Sequence, residues 1–391
     1  MESRDNRPKI LVAVDWFTPA YRAGGPIRSV ANAVAALENE FQFFIVCGAY
    51  DLGIDGKFTA LEVETGPWTI HGKAQVKYLE RADWTARNWR KIFNEVQPQT
   101  LYLNSMFSGP FSRLPLAVAR KLARKRRKTG STLRVVLAPR GMLDEGALAI
   151  KPLKKYAYLS LSRAIGRYDG LVWQASGPDE ERSVHRHFPR AHVLIAQNLS
   201  AQPPVLDLRE KTSEHYLSLG RIHPIKNQLF SAQILALRAK KTGAQISYQL
   251  VGPVEDAAYL RDVIACQGHH GKGALQIEAI GALPHNEIPK SFLGVRALLA
   301  PSLNENFGHA IAESLSIGCP VLVSDQTPWT AEKLGGAGRQ LPLEEKDWDA
   351  ALDWLADETA WKEARRRALE NFSSAHSDPD ILAAHRKLWA P

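Results

Sequence analysis

The sequence predicts an α/β protein made of two doubly wound domains, and three observations carry that prediction. Short apolar runs alternate with longer helical runs along the chain. The apolar runs are mostly unbroken, as in strands buried on both faces of a parallel sheet. The alternation stops at a polar, proline-containing stretch, Ala201–Glu214, and then restarts. That stretch reads as a domain linker, and strand–helix alternation on both sides of it implies two doubly wound sheets.

In the first half the strand candidates are Ile10–Asp15, Gln42–Cys47, Val76–Leu79, Thr100–Leu103, Arg134–Ala138, Leu171–Gln174 and Val193–Ala196. Between them, Trp84–Val96 places Trp89, Ile92, Phe93 and Val96 on one helical face, a spacing that buries that face. After the linker come Tyr216–Leu219, Ser247–Val251, Leu275–Ile280, Ala297–Ala300 and Pro320–Ser324, each with a helix candidate behind it. The stretch from Trp348 to Trp389 reads as helical and tryptophan-rich. Ligands of such sheets bind beyond the carboxyl ends of the strands, so a cleft between the two domains is the expected active site.

Composition narrows the class. With 391 residues, 45% hydrophobic and 23% charged, the chain is an ordinary packed protein rather than a disordered or collagen-like one. No apolar stretch approaches the roughly 20 residues needed to span a bilayer. The charged N-terminus, Met1 to Lys9, lacks the apolar core of a signal peptide, so a cytoplasmic location is expected. Cys47, Cys266 and Cys319 are odd in number and not at metal-ligand spacing, which fits a reducing compartment. Net charge is +9 and suits an anionic partner: a nucleotide, a phospholipid surface or nucleic acid. The run Arg120–Lys128 holds no acid.

Several chemistries lack their signatures. No G-x-G-x-x-G fingerprint follows a strand, no P-loop is present, and there is no G-x-S-x-G elbow. No His/Cys cluster has zinc spacing. His185 and His187 sit in a charged segment and read as solvated.

Three loops carry chemistry. The first is Ala23-Gly24-Gly25-Pro26, after a strand and opening an apolar helix. It reads either as a backbone approach to a phosphate or carboxylate at a helix N-terminus or as a plain tight turn. The second, Gly220–Asn227 (GRIHPIKN), brings Arg221 and Lys226 between a strand and a helix. A planar fork and a point charge suit a diphosphate; the alternative is two solvated cations. The third is Pro301–Asp325, with Glu305 in the loop, Asn306, Phe307, Gly308 and His309 leading into a helix, and Glu313 about one turn inside it. The amides of residues 307–309 can face a phosphate, and the two carboxylates suit sugar and ribose hydroxyls. The bland reading is a capped helix with a solvated Glu.

The E-x7-E spacing from Glu305 to Glu313, the G-R-x-x-x-x-K element and the Gly24–Gly25 loop together resemble the retaining glycosyltransferase family 4, of GT-B fold. The segment Ser324–Trp329 (SDQTPW) resembles one branch of it, and the likeness runs through nearly the whole chain. The resemblance implies a nucleotide-diphosphate sugar as donor substrate, no cofactor and no metal. Gly25 would approach the donor phosphates. Arg221 and Lys226 would bind the pyrophosphate and stabilise the departing nucleoside diphosphate. Glu305 would hold the transferred sugar and Glu313 the ribose, while backbone near Gly252 and Leu283 would flank the base. The final helix would cross back onto the N-terminal domain. The expected domains are therefore 1–202 joined by about 377–391, and 203–376.

Two departures stand out. Arg140, in A-P-R-G, stands where many members place a His beside the donor sugar, and Asn198–Leu199 replaces a common Asn-Gly. On the acceptor side, Leu153, Tyr156, Ala157, Leu161 and Ala164 form an apolar stripe on Lys151–Gly166, with Lys151, Lys154, Lys155 and Arg163 on the other face. That cationic face reads either as a dock on anionic lipid, suiting a lipid-linked saccharide acceptor, or as a solvated surface. Trp68 and Trp84 are candidates for stacking on acceptor sugars, and Trp89 for the core. The rival classes are a GT-B epimerase or sugar-nucleotide hydrolase, a catalytically silent binding subunit, and a nucleic-acid-binding protein; nucleic acid is not expected as a partner, because no binding motif is present.

Overall fold

The computed structural model describes residues 6–53, 57–126, 132–149, 151–199, 214–376 and 379–391. The expected linker, 201–213, and the end of the basic run, 127–128, lie outside the described residues. The chain divides into two compact units. One is Met1–Asp51, Thr59–Leu199 and Pro379–Pro391; the other is Leu52–Phe58 and Ser200–Asp378.

The strands of the first half are β1 (Lys9–Ala13), β2 (Gln42–Gly48), β3 (Tyr50–Leu52), β4 (Phe58–Ala60), β5 (Thr69–His71), β6 (Ala74–Leu79), β7 (Thr100–Leu103), β8 (Arg134–Leu137), β9 (Val172–Ala175) and β10 (His192–Ile195). Eight of them form one sheet in the order β10-β9-β8-β7-β1-β2-β6-β5, and β3 pairs with β4. The large sheet is parallel except for β5 against β6. Side chains alternate across it: Ile10 and Val12 enter one buried cluster, Leu11 and Ala13 the other. A strand buried on both faces has no polar side to show, which is why β1 reads as an unbroken apolar run.

Helices cover both faces. They are α1 (Gly25–Leu37), α2 (Ala86–Val96), α3 (Leu114–Arg126), α4 (Glu145–Ala149), α5 (Pro152–Ala164) and α6 (Pro178–His187). Trp89, Ile92, Phe93 and Val96 form the buried face of α2. That helix begins two residues after the expected start because Thr85 caps it, its hydroxyl accepting from the Asn88 amide at 3.2 Å, a standard N-cap bond.

The second unit repeats the plan. Its strands are β11 (His215–Leu219), β12 (Gln245–Val251), β13 (Gly268–His270), β14 (Gly273–Gly281), β15 (Ala297–Ala300), β16 (Val321–Ser324) and β17 (Gly338–Leu341). Their order is β13-β14-β12-β11-β15-β16-β17, parallel except for β13. Around them lie α7 (Gln228–Thr242), α8 (Ala257–Ile264), α9 (His309–Ser316), α10 (Ala331–Leu334), α11 (Glu345–Ala356) and α12 (Glu358–His376). The strands β13 and β17 and the hairpin strands β3–β5 escaped the sequence reading. They are three or four residues long and carry no unbroken apolar run, β13 reading GHH and β17 GRQL, so nothing in them marks a strand buried on both faces.

The last helix, α13 (Pro379–Trp389), belongs to the first unit. The Trp389 indole stacks on Tyr102 at 4.2 Å between ring centroids and meets Phe43 edge-on at 5.4 Å. The Thr100 hydroxyl donates to the Trp389 carbonyl at 3.0 Å, and Arg386 grips Glu40 through two nitrogens.

Trp68 and Trp84 are half-buried and pack against the first unit's core. Trp68 meets Phe44 at 5.4 Å and lies under the Lys77 ammonium at 5.0 Å, while Trp84 meets Phe111 at 5.5 Å. The apolar stripe of Lys151–Gly166 faces outward, with Leu153 86% exposed, and Leu159 and Ser162 are the buried residues of that helix. Lys155 turns inward, its ammonium 5.6 Å from the Phe107 ring.

His385 on α13 is a buried titratable group with a fixed tautomer. An indole N–H only donates, so the 3.2 Å contact from Trp389 makes His385 Nδ1 the acceptor and leaves the proton on Nε2, which donates to the Gln197 carbonyl at 2.7 Å. Protonating Nδ1 would set two N–H groups against each other. Burial holds the His385 pKa down to about 4, with the Arg140 charge adding to the effect and the Gln197 bond opposing it. The unfolded chain titrates near the ordinary value of about 6.5, so between those values it binds more protons than the folded chain. Stability is therefore expected to fall as pH drops from 6.5 to 4, by at most about 3 kcal/mol from this group, and to lose no more from it below that. Urea unfolding at pH 7 and pH 4.5 checks this. His385→Gln should be less stable at pH 7 but show a shallower acid loss.

Candidate active site

In the second sheet the chain leaves β11 for β12 on one side and for β15 on the other, so the strand order reverses between β11 and β15. Two neighbouring strands whose following helices go to opposite faces leave a crevice at their carboxyl ends. The two loops that carry the sequence-predicted charges start there. Gly220–Asn227 follows β11, and Pro301–Gly308 follows β15.

The loops are stitched together. The Leu303 amide donates to the Ile225 carbonyl at 2.8 Å, and the Lys226 ammonium is ion-paired with the Glu305 carboxylate. Both side chains are about four-fifths shielded from solvent, at 20% and 18% exposure. Lys226 closes a single helical turn, Pro224–Lys226, which starts with His223 Nδ1 accepting from the Ile225 amide. Arg221 is more open. It bonds Glu255 at 2.8 Å, and its carbonyl accepts from Gln228 at 2.9 Å.

Gly252, just past β12, lies against the first loop. A Cβ built there would sit 1.9 Å from the Gly220 carbonyl oxygen, and φ is +151°, so both space and backbone require glycine. Leu283 lines a separate cavity of about 310 Å³ with His215, Gln249, Ile280 and Lys290. Arg221, Lys226 and Glu305 do not line it.

The second loop ends in α9. Its N-cap is Gly308 in the left-handed region, at φ +82°, with no side-chain cap. His309 opens the helix and Glu313 is its fifth residue; Asn306 precedes Phe307 in the loop. Phe307 is buried, with His309 at 4.7 Å and Trp329 at 6.2 Å between ring centroids. The Trp329 indole donates to the Phe307 carbonyl at 2.6 Å, and the Ser324 hydroxyl donates to the Ser302 carbonyl at 2.5 Å. The segment after β16 thus braces the loop after β15. Trp329 and Glu255 are the residues that sequence reading gave no role. Their signal lies in contacts across 22 and 34 residues of chain.

The first unit presents a similar crevice, because its strand order reverses between β1 and β7. Gly24 is the N-cap of α1 and Gly25 its first residue. The preceding loop is pinned by the Tyr21 and Arg22 amides donating to the Asp51 carboxylate at 3.0 and 3.2 Å. Asn104, at the end of β7, donates to the Pro26 carbonyl at 3.1 Å. Asp15, past β1, accepts from the Ser108 hydroxyl at 2.6 Å; burial pushes its carboxyl up against the lowering effect of that bond. Arg140, at φ +56°, is held by Asn104 at 2.7 Å, the Tyr102 hydroxyl at 2.6 Å and Asn198. These acceptors are neutral, and the buried Glu180 carboxylate nearby accepts from the Gly141 amide at 2.6 Å. Burial pushes the Tyr102 phenol up to about 12. Gly25 and Arg140 therefore lie on the first unit, and Arg221, Lys226, Gly252, Leu283, Glu305 and Glu313 on the second.

Residues 207–371 match the family model described as glycosyl transferases group 1. In solved structures the fold recurs over almost the full length. Sucrose-phosphate synthase from Thermosynechococcus elongatus superposes with a TM-score of 0.64 at 14% identity, with 98% of each chain covered. Anabaena HepE in complex with UDP and glucose gives 0.64 at 13%, again with 98% of each chain. The lipopolysaccharide outer core galactosyltransferase WaaB gives 0.51 at 16%, over 94% of this chain and 98% of that one. The shared fold is GT-B. No curated relative matches the chain by sequence.

The close approach at Gly252 generates a prediction. Gly252→Ala is expected to destabilise the protein by roughly 1–3 kcal/mol, because it combines a backbone clash with an unfavourable φ. Gly294, at φ +73° with nothing within 4 Å of a built Cβ, meets only the conformational term, so Gly294→Ala should cost less. Denaturant midpoints of the two variants give the comparison; equal costs would mean the Gly220 contact is unimportant.

Proposed function

We propose that this protein is a retaining, metal-independent glycosyltransferase. It moves a hexose-type sugar from a UDP- or GDP-sugar to a saccharide or lipid-linked saccharide acceptor, in surface polysaccharide or glycolipid biosynthesis. It works in the cytoplasm, peripherally at the inner face of a membrane. One observation carries the reading: the loops of Lys226 and Glu305 meet at the strand-order reversal of a glycosyl transferases group 1 domain. HepE holds UDP and glucose on the same fold; at 13% identity that supports the architecture, and the loops support the chemistry.

In this reading the donor pyrophosphate lies between Arg221 and Lys226. Lys226 exchanges a carboxylate for a phosphate, and Glu305 is released to accept from hydroxyls of the transferred sugar. The bond from the anomeric carbon to the phosphate oxygen breaks, and negative charge grows on the departing nucleoside diphosphate. Two fixed cations stabilise that charge without reorganising, which is the electrostatic form of catalysis. The acceptor oxygen bonds the anomeric carbon on the same face and passes its proton to a donor phosphate oxygen, so configuration is retained. The amides leading into α9, with Asn306, Phe307, Gly308 and His309, support sugar and phosphate. Glu313 holds the ribose, and backbone near Gly252 and Leu283 flanks the base. On the first unit, Gly24 sets the entry to α1 and Arg140 is held at the strand ends beside it.

The first test is a thermal-shift panel with UDP, GDP, ADP, their sugar conjugates and a short DNA duplex. The correct diphosphate at about 100 times its dissociation constant should stabilise by about 2.7 kcal/mol, and DNA should not. A shift with DNA alone would overturn the reading. With the donor fixed, Lys226→Ala and Glu305→Ala should each lower kcat about 100-fold or more with the fold intact, the melting temperature falling only by what the lost ion pair contributed. Near-wild-type rates in both would remove these residues from the site, and free sugar formed without acceptor would indicate a hydrolase or epimerase.

A further inference from the structure

The outward face of α5 is unusual for a surface helix. Residues 153, 156, 157, 160, 161 and 164 follow the i, i+3, i+4, i+7, i+8, i+11 spacing of a single face, and all six are exposed. They read Leu, Tyr, Ala, Ser, Leu, Ala. Leu153 is 86% exposed, Leu161 57%, and Ile165 beside them 56%. A soluble helix turns such a face to its core; here the core takes Leu159 and Ser162 instead. The helix is thus amphipathic in the reverse sense.

Its flanks are cationic. On a helical wheel Lys154 borders one side of the apolar face and Arg163 the other, and both are exposed, as is Lys151 at the helix start. No acid occurs from Lys151 to Tyr168. Glu145 on the neighbouring α4 is ion-paired with Arg186. Arg120 on α3 donates to the Asp169 carbonyl at 2.8 Å, which sets the acid-free α3, with exposed Lys121 and Arg124, beside the turn after α5. Among the described residues no helix is long and apolar enough to cross a membrane. An apolar face flanked by long cations has the composition of a helix that lies in a bilayer interface, its leucines among acyl chains and its cations at anionic headgroups.

We infer that the outward face of α5, with Lys151, Lys154 and Arg163, is a docking surface for an anionic lipid bilayer. This deepens the membrane contact of the proposed function and rests on no step of the transfer reaction. The apolar side chains provide insertion, the cations provide attraction that falls with salt, and neither alone gives stable anchoring.

Sedimentation of the full chain with phosphatidylcholine vesicles, with and without about 30% phosphatidylglycerol, tests it. Wild type should bind the anionic vesicles, at least about tenfold more weakly on the neutral ones, and should be released as salt rises from about 0.1 to 0.5 M. Leu153→Glu with Leu161→Glu, and separately Lys154→Glu with Arg163→Glu, should each cut binding about tenfold or more at unchanged melting temperature. No binding by wild type, or equal binding by both variants, would overturn the proposal. So would a dimer, seen by light scattering without lipid, that the leucine variant converts to monomer. Vesicle binding needs no donor and the nucleotide shift needs no vesicle, so each reading fails independently.

Discussion

The constraint on which the rest depends is that each large parallel sheet is buried on both faces. A strand such as β1, with Ile10 and Val12 in one cluster and Leu11 and Ala13 in the other, has no room for chemistry along its length. Burying an unpaired charge there would cost far more than the strand gains. Polar function is pushed to the strand ends, where the backbone leaves the sheet and water can enter. Both units obey this rule, and their charged loops gather where the strand order reverses.

At those ends the structure is held by contacts of a different kind. The Lys226–Glu305 pair, the Leu303–Ile225 amide bond and the Trp329–Phe307 bond join segments far apart in sequence. The ion pair is more than a brace. A carboxylate and an ammonium that satisfy each other without ligand are each available to a ligand that offers the opposite partner: a phosphate for the lysine, hydroxyls for the glutamate. The first unit uses a contrasting device, a guanidinium fixed by neutral oxygens at Arg140. That fixes the position of the side chain.

Much of this was legible in the sequence. The long strands, the glycine loops and the spacing of Glu305 and Glu313 follow from local pattern, because parallel strands read as apolar runs and helix starts have their own residues. The edge strands β13 and β17 were not legible, since GHH and GRQL lack the apolar run that marks a buried strand. Nor was the direction of α5. Periodicity reports that Leu153, Tyr156 and Leu161 share a face, but not which way that face turns.

What the sequence by itself determined was the two-sheet α/β plan and the charged loops at the strand ends of the second domain, since both are written in local residue order. What only the tertiary structure decided was which charges meet. Lys226 finds Glu305, Arg221 finds Glu255, and the apolar stripe of α5 turns to solvent. Pairing and facing depend on how elements remote in sequence pack in space, and no local pattern encodes that.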